Sequence, residues 1–184
     1  MPLRGFNLAN RNGGVRGLRW FVSRCHPVAS VGVISDTHGL LRQEALEALG
    51  GSDFIIHAGD IGDVAIIDRL REIAPVTAVR GNNDKGRWAD GIPDTGVLEV
   101  EGFRFYVLHA LDQLDVDTQA AGFHVIVSGH SHHPGIETRE GVLFVNPGSA
   151  GPRRFKLPIS VARIGISGSK LQPQIIELSL ASRA

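Results

Sequence analysis

Seven residues that offer oxygen or nitrogen donors fall at or just beyond the ends of apolar runs: Asp36, His38, Asp60, Asn82, His109, His130 and His132. The densest group is Ser128-Gly129-His130-Ser131-His132-His133, directly after His124-Val125-Ile126-Val127. In extended backbone alternate side chains share a side, so this spacing predicts that His130 and His132 point the same way. Neutral imidazole is the commonest side-chain metal ligand, and O and N donors without sulfur suit Mn²⁺, Fe²⁺, Zn²⁺ or Ni²⁺. Two such ions need about four protein ligands each, and one bridging carboxylate makes seven residues enough. Two carboxylates and four imidazoles leave that pair net positive, ready to receive a phosphate. A pair of ions about 3.5–4 Å apart binds a phosphoryl oxygen and lowers the pKa of a bridging water, whose hydroxide attacks phosphorus in line with the leaving group. Taken singly, each signal has an ordinary structural reading: a chance Asp-x-His pair, a strand-exit aspartate, a Gly-Asn-Asn-Asp turn, a strand-end histidine. Their order and placement together carry the chemical one.

The elements that must position these donors are legible in the hydrophobic pattern. Val31–Ile34 reads as a buried strand running into Ser35-Asp36-Thr37-His38-Gly39. Leu41, Ala45, Leu46 and Leu49 recur at helical spacing, and Gly50-Gly51 stops the helix. Phe54–His57 is a second strand leading to Ala58-Gly59-Asp60. Asp63 is placed to cap a helix that buries Ile66, Ile67, Leu70 and Ile73, with Pro75 ending it. Val76–Val79 is a third strand, running into Arg80-Gly81-Asn82-Asn83-Asp84. Alternating strands and helices imply a parallel sheet with right-handed crossovers, whose site residues gather beyond the carboxyl ends of the strands. After residue 90, paired runs around Glu101-Gly102, Arg139-Glu140-Gly141 and Gly168 predict three hairpins. A short helix is expected around Asp117–Ala121. The second half is therefore expected to form a mostly antiparallel second sheet packed on the first.

Composition narrows the classes. The chain of 184 residues is 42% hydrophobic and 21% charged, the profile of a globular protein of about one domain. Net charge is zero but uneven: residues 1–28 hold five arginines and no acid, leaving 14 basic against 19 acidic residues elsewhere. A negative remainder argues against a nucleic-acid surface. Cys25 is the single cysteine, which excludes an internal disulfide and agrees with a reducing cytoplasm. No apolar run reaches the roughly 18 residues of a membrane helix. Residues 1–28 read as a flexible basic extension, with an early start codon or a transit peptide as other accounts, and residues 29–184 as the folded domain.

The series Asp36-Thr37-His38, Gly59-Asp60, Gly81-Asn82-Asn83-Asp84, His109 and Gly129-His130-Ser131-His132 resembles the motifs of the calcineurin-like metallophosphoesterase superfamily. The length and the closing Phe144-Val145-Asn146-Pro147-Gly148-Ser149 resemble its small YfcE-type phosphodiesterase branch. The resemblance implies a four-layer α/β/β/α sandwich of two mixed sheets flanked by helices. It implies one ion held by Asp36, His38, Asp60 and His132, and another by Asp60, Asn82, His109 and His130, with Asp60 bridging and Mn²⁺ the usual ion. Asp60, Asn82 and His130 would then serve catalysis through the hydroxide they help to hold. The substrate implied is a small phosphate ester, with a homo-oligomer left open. One departure is Asn83, which stands where the superfamily usually has a histidine. An amide cannot protonate a leaving group, and general-acid help is typically worth about 10²–10⁴-fold. His133 is a substitute donor or a solvent-facing turn residue. Ala110 stands where the branch often has glycine. His57 reads as a core or supporting histidine. Asp84 either orients a neighbour or closes the turn, Arg153, Arg154 and Lys156 either reach a phosphate or lie in solvent, and Trp88 is placed to cover the pocket mouth. Competing with the phosphodiesterase reading are a binding scaffold of the same fold, as in the retromer subunit of this superfamily, and a phosphomonoesterase.

Overall fold

The computed structural model describes residues 29–179, and the basic extension expected over residues 1–28 lies outside them. Strand β1 (Ala29–Ile34), helix α1 (Gln43–Leu49), β2 (Phe54–His57), α2 (Val64–Arg71) and β3 (Val76–Ala78) follow the expected order. Helix α2 starts where Asp63 accepts a hydrogen bond from the Ala65 amide, and it buries Ile66, Ile67 and Leu70. Next come β4 (Thr95–Val100), β5 (Phe103–Leu108), β6 (Val125–Val127), β7 (Gly135–Arg139), β8 (Val142–Asn146), β9 (Ser160–Ser167) and β10 (Lys170–Glu177).

These strands form two five-stranded mixed sheets, ordered β10-β9-β1-β2-β3 and β4-β5-β6-β8-β7. All three expected hairpins form, but the division between sheets differs from the expectation in two ways. The β9–β10 hairpin joins the first sheet, with β9 antiparallel to β1. The centre of the second sheet is parallel, through β5–β6 and β6–β8. Local periodicity specifies a strand but not its partner. The buried run Val161, Ala162, Ile164 and Ile166 suits an interior position beside β1.

The sheets pack face to face. Val31, Val33 and Ile56 of the first meet Phe105, Val107, Val125 and Val127 of the second in a closed core. The opposite face of the first sheet, through Ile34, Ile55 and Val161, packs on Ala45, Leu49, Ile66 and Leu70 of the helices. Trp88 packs against this helix-side core, so it does not cover a pocket mouth. The fourth layer, over the outer face of the second sheet, is a 3-10 turn at Leu111–Gln113 and the loop carrying Leu114, Val116 and Ala121. The helix expected around Asp117–Ala121 is a run of turns. The Asp117 carboxylate accepts from the amides of Gln119 and Ala120 and starts a helical turn, which Gly122 at φ 69° ends at once.

Candidate metal centre

β1, β2 and β3 run parallel, and so do β5 and β6, so their carboxyl ends present loops at a common edge. Asp36 and His38 follow β1, Asp60 follows β2, Asn82 follows β3, His109 follows β5, and His130 and His132 follow β6. The loops are stitched together by backbone hydrogen bonds: Asp36 N–H to Gly59 O, His38 N–H to Asp60 O and Gly129 N–H to His109 O. Five of the seven donor residues (Asp36, His38, Asp60, His130 and His132) have φ between 46° and 64°. Non-glycine residues adopt this left-handed region uncommonly, and clusters of it mark functional sites. It also corrects the expectation for the two histidines. His130 and His132 lie in a turn, not in extended backbone, and they reach different partners.

One group of donors centres on Asp36. Its Oδ1 is 3.2 Å from His132 Nε2 and 3.9 Å from His38 Nε2, and the two imidazoles stack with their Nε2 atoms 3.5 Å apart. The other centres on Asn82, whose Oδ1 lies 3.2 Å from His109 Nε2 and 3.1 Å from His130 Nδ1. Asp60 stands between them, its Oδ2 being 3.8 Å from His38 Nε2 and 3.5 Å from His109 Nε2. All seven donors named from the sequence therefore converge, in two groups that meet at Asp60.

The residues fit cations. Asp36 and Asp60 are buried carboxylates, and Asp36 Oδ1 makes no hydrogen bond although an imidazole nitrogen faces it. A buried carboxylate oxygen left this way is costly unless positive charge compensates it. The donor atoms of Asp36, His38 and His132 lie within 4.8 Å of one another, and so do those of Asp36, Asp60 and His109. Burial raises the Asp60 pKa, but hydrogen bonds from His109 and Asn83 together outweigh it and hold this carboxyl well below the usual range. Burial likewise lowers His109, and the bonds to Asp60 and the Ala58 carbonyl reverse the sign and raise it. His38 is lowered because burial outweighs Asp60 and Asp36. Since a carbonyl only accepts, His109 Nδ1 carries the proton shared with Ala58 O, at 2.8 Å; the proton facing Asp60 is the Nε2 proton of the charged ring, and its loss turns the Nε2 lone pair into the site.

Surrounding side chains hold this arrangement. Asp84 accepts from the amides of Ile61, Gly62 and Gly81, tying the loop after β3 to the loop after β2. Asn83 donates its backbone and side-chain N–H groups to the two Asp60 oxygens, at 2.8 and 2.6 Å. Ser35 Oγ and the His130 amide both bond Asp36 Oδ2, the latter joining the two sheets. Asn146, at the end of β8, donates to Gly129 O and Ser131 Oγ and so props the histidine turn. Sequence reasoning gave Ser35 and Asn146 no positioning role; the signal of Ser35 was a place just past a strand end, and that of Asn146 its place in the closing run 144–149. His57 is fully buried and bonds Thr37, not the donor cluster. His133 is exposed and lies beside the cluster in a neighbouring groove. Arg153, Arg154 and Lys156 are exposed, and the charge of Arg154 is felt at His38.

Two layered mixed sheets that gather carboxylate, carboxamide and imidazole donors at one strand-end edge define a metallophosphoesterase-type domain. The chain belongs to the calcineurin-like phosphoesterase superfamily, whose domain model matches residues 30–169. It is 34% identical over 158 residues to a probable metallophosphoesterase of Methanothermobacter thermautotrophicus, a match covering 79% of this chain and 91% of that protein. It is 27% identical over 136 residues to a phosphodiesterase of Methanocaldococcus jannaschii, covering 64% of this chain and 82% of that one. The fold is shared with a structure described as a novel archaeal phosphodiesterase, at a TM-score of 0.67 and 22% identity over 80% of this chain and 99% of that one. It is shared equally with Chaetomium thermophilum Vps29, at a TM-score of 0.66 and 20% identity over 82% and 97% of the two chains.

Proposed function

We propose that the protein is a phosphodiesterase that works with two divalent metal ions, Mn²⁺ or another of the borderline set, on a small phosphate ester. The observation that carries this reading is the division of the seven donors into two groups sharing Asp60, with Asp36 Oδ1 buried and unbonded between imidazoles. When bound, divalent ions there would supply positive charge for a phosphoryl oxygen and lower the pKa of a nearby water, so that hydroxide is available as nucleophile near neutral pH. The chain supplies the rest. Asp36, His38, Asp60 and His132 form one coordination set, and Asp60, Asn82, His109 and His130 the other. Asn82 turns its Oδ1 toward His109 and His130, which leaves its NH₂ to donate to a phosphate oxygen. Asn83, in the place usual for a general acid, spends its amide on Asp60. It orients the shared carboxylate and delivers no proton to a leaving group. Activity should therefore favour esters with good leaving groups. A pure scaffold would not need strained backbone at five donor residues or an uncompensated buried carboxylate oxygen.

The test is hydrolysis of bis(4-nitrophenyl) phosphate in Mn²⁺ after chelation and reloading. The expected result is metal-dependent turnover that Asp60→Asn reduces to background, with 4-nitrophenyl phosphate turned over more slowly than the diester. Turnover insensitive to chelation would overturn the proposal, and a preference for the monoester would reassign the substrate class.

A further inference from the structure

The outer face of the second sheet is covered only in part. The 3-10 turn at Leu111–Gln113 and the loop after it pack over Tyr106, Phe123 and Ile126, while the sheet edge formed by β8 and β7 stays open. There a groove of about 450 Å³ lies over Phe144, lined by Leu111, Asp112, Glu137 and Arg139. All five residues of β7 are exposed, and its Glu137 and Arg139 pair in register with Phe144 and Val142, on this same outer face. The Arg139 guanidinium lies 4.8 Å from the centre of the Phe144 ring and is pinned by Glu137 at 2.8 Å. The groove ends at His130. A second cleft of about 370 Å³ begins at the same residue, lined by Arg80 and Lys85 and by the carboxylates of Asp84, Asp94 and Asp112. His130 and Asp112 line both.

A phosphate held at the donor cluster thus has a groove floored by Phe144 on one side and a polar cleft of mixed charge on the other. A phosphodiester has two arms, and the two clefts differ in chemistry, so the site is built for unlike arms. We propose that the groove over Phe144 takes a nucleoside arm of the substrate, a deepening that rests on the phosphodiesterase reading. The base lies on the outer face of the Arg139 guanidinium, which itself sits over the Phe144 ring, since guanidinium planes stack on aromatic rings. The carboxylates of Asp112 and Glu137 at the rim accept from ring or exocyclic N–H groups. An alkyl arm can neither stack on a guanidinium face nor donate to these acceptors, so the lining favours a heteroaromatic ring over a lipid tail. The volume falls within the range of small-molecule sites.

Two 4-nitrophenyl esters with the same leaving group test this: that of thymidine 5′-phosphate and that of methyl phosphate, in Mn²⁺. The nucleoside ester should show a KM about tenfold lower, the scale of one stacking contact, with similar kcat. Phe144→Ala should bring the two KM values together and leave the methyl ester unchanged. Because Phe144 is half-buried, the exposed pair Glu137→Ala with Arg139→Ala provides a second variant expected to act in the same direction. A readout independent of turnover is saturation-transfer NMR of thymidine with the metal-free protein, which should detect binding in the wild type and lose it in both variants. Equal KM values in the wild type, or a preference that survives both variants, would overturn the nucleoside assignment while leaving the phosphodiesterase reading intact. If neither ester is hydrolysed the phosphodiesterase reading fails, and thymidine binding then decides the groove by itself.

Discussion

His57 is held in the interior by one hydrogen bond, to Thr37, and a second bond made by Thr37 fixes its tautomer. Thr37 Oγ donates its single proton to the Ile61 carbonyl at 2.9 Å, so it can only accept from His57 Nε2, also at 2.9 Å. The proton therefore sits on Nε2, and the unpartnered buried Nδ1 is a lone pair, not a stranded N–H. Charging this ring would require protonating Nδ1 where nothing receives it. Burial accordingly pushes the pKa from the ordinary 6.5 down to about 4, against the opposing pull of Asp36 and Asp84. In the unfolded chain the ring takes its proton near 6.5, so between pH 6.5 and 4 the unfolded state binds more protons. The stabilisation is complete above 6.5 and is lost as pH falls toward 4. The slope is at most about 1.4 kcal/mol per pH unit for one proton. His57→Gln keeps a donor for Thr37 without titrating. Urea denaturation at pH 7.5 and 5 should therefore give a smaller acid loss in the variant than in the wild type. An equal loss in both would show that other groups set the acid lability. From sequence this histidine could be placed in the core, since it closes the apolar run Phe54-Ile55-Ile56. The partner that fixes its proton could not be read, because Thr37 lies on another loop twenty residues away.

At the scale of the elements, the strand-end loops were the most legible part, because each follows a strongly apolar run and holds the residue types that end one. What the sequence withheld was backbone conformation. His130 and His132 are spaced like residues on one side of a strand, yet left-handed torsions send them to separate donor groups. Period-2 reasoning applies only while the chain stays extended, and β6 ends at Val127. The loop after β3 gives the same lesson through Gly81. A Cβ built there would collide with the Asp60 backbone nitrogen and with its Oδ1. This loop must run against the Asp60 carboxylate so that the Asn83 amide can reach it, and Asp84 clamps the approach from the other side. Gly81→Ala forces either the loop or Asp60 to move. Displacing groups that orient metal-binding side chains typically costs about 10–100-fold in metal affinity or activity. The expected outcome is such a loss in Mn²⁺ affinity, measured by calorimetry, with far-ultraviolet circular dichroism unchanged. Unaltered affinity would mean that the tight approach is incidental.

For the whole molecule, the donors come from both sheets: Asp36, His38, Asp60 and Asn82 from loops of the first, His109, His130 and His132 from loops of the second. Between the sheets lies an apolar core that is non-directional and resists sliding only through side-chain packing. At the edge, the cross-sheet ties are polar, such as the His130 amide on the Asp36 carboxylate and the Ser149 hydroxyl on the Asp36 carbonyl. Ions coordinated from both sides would add directional bonds across this seam, and the unfolded chain, with its donors up to about a hundred residues apart, offers no comparable site. Binding should therefore stabilise the whole fold. At free Mn²⁺ about a hundred times the Kd, the gain is about 2.7 kcal/mol per site. For a chain of this length each kcal/mol raises Tm by about 2–4 °C. Scanning calorimetry should show a rise of about 5–10 °C on adding Mn²⁺ to chelated protein. His132→Ala, which removes a second-sheet donor from the Asp36 group, should shrink that shift, whereas exposed His124→Ala, at the far end of β6, should leave it whole. A metal-induced rise that is the same in the wild type and in His132→Ala would place the stabilising ion elsewhere and remove the seam from the account.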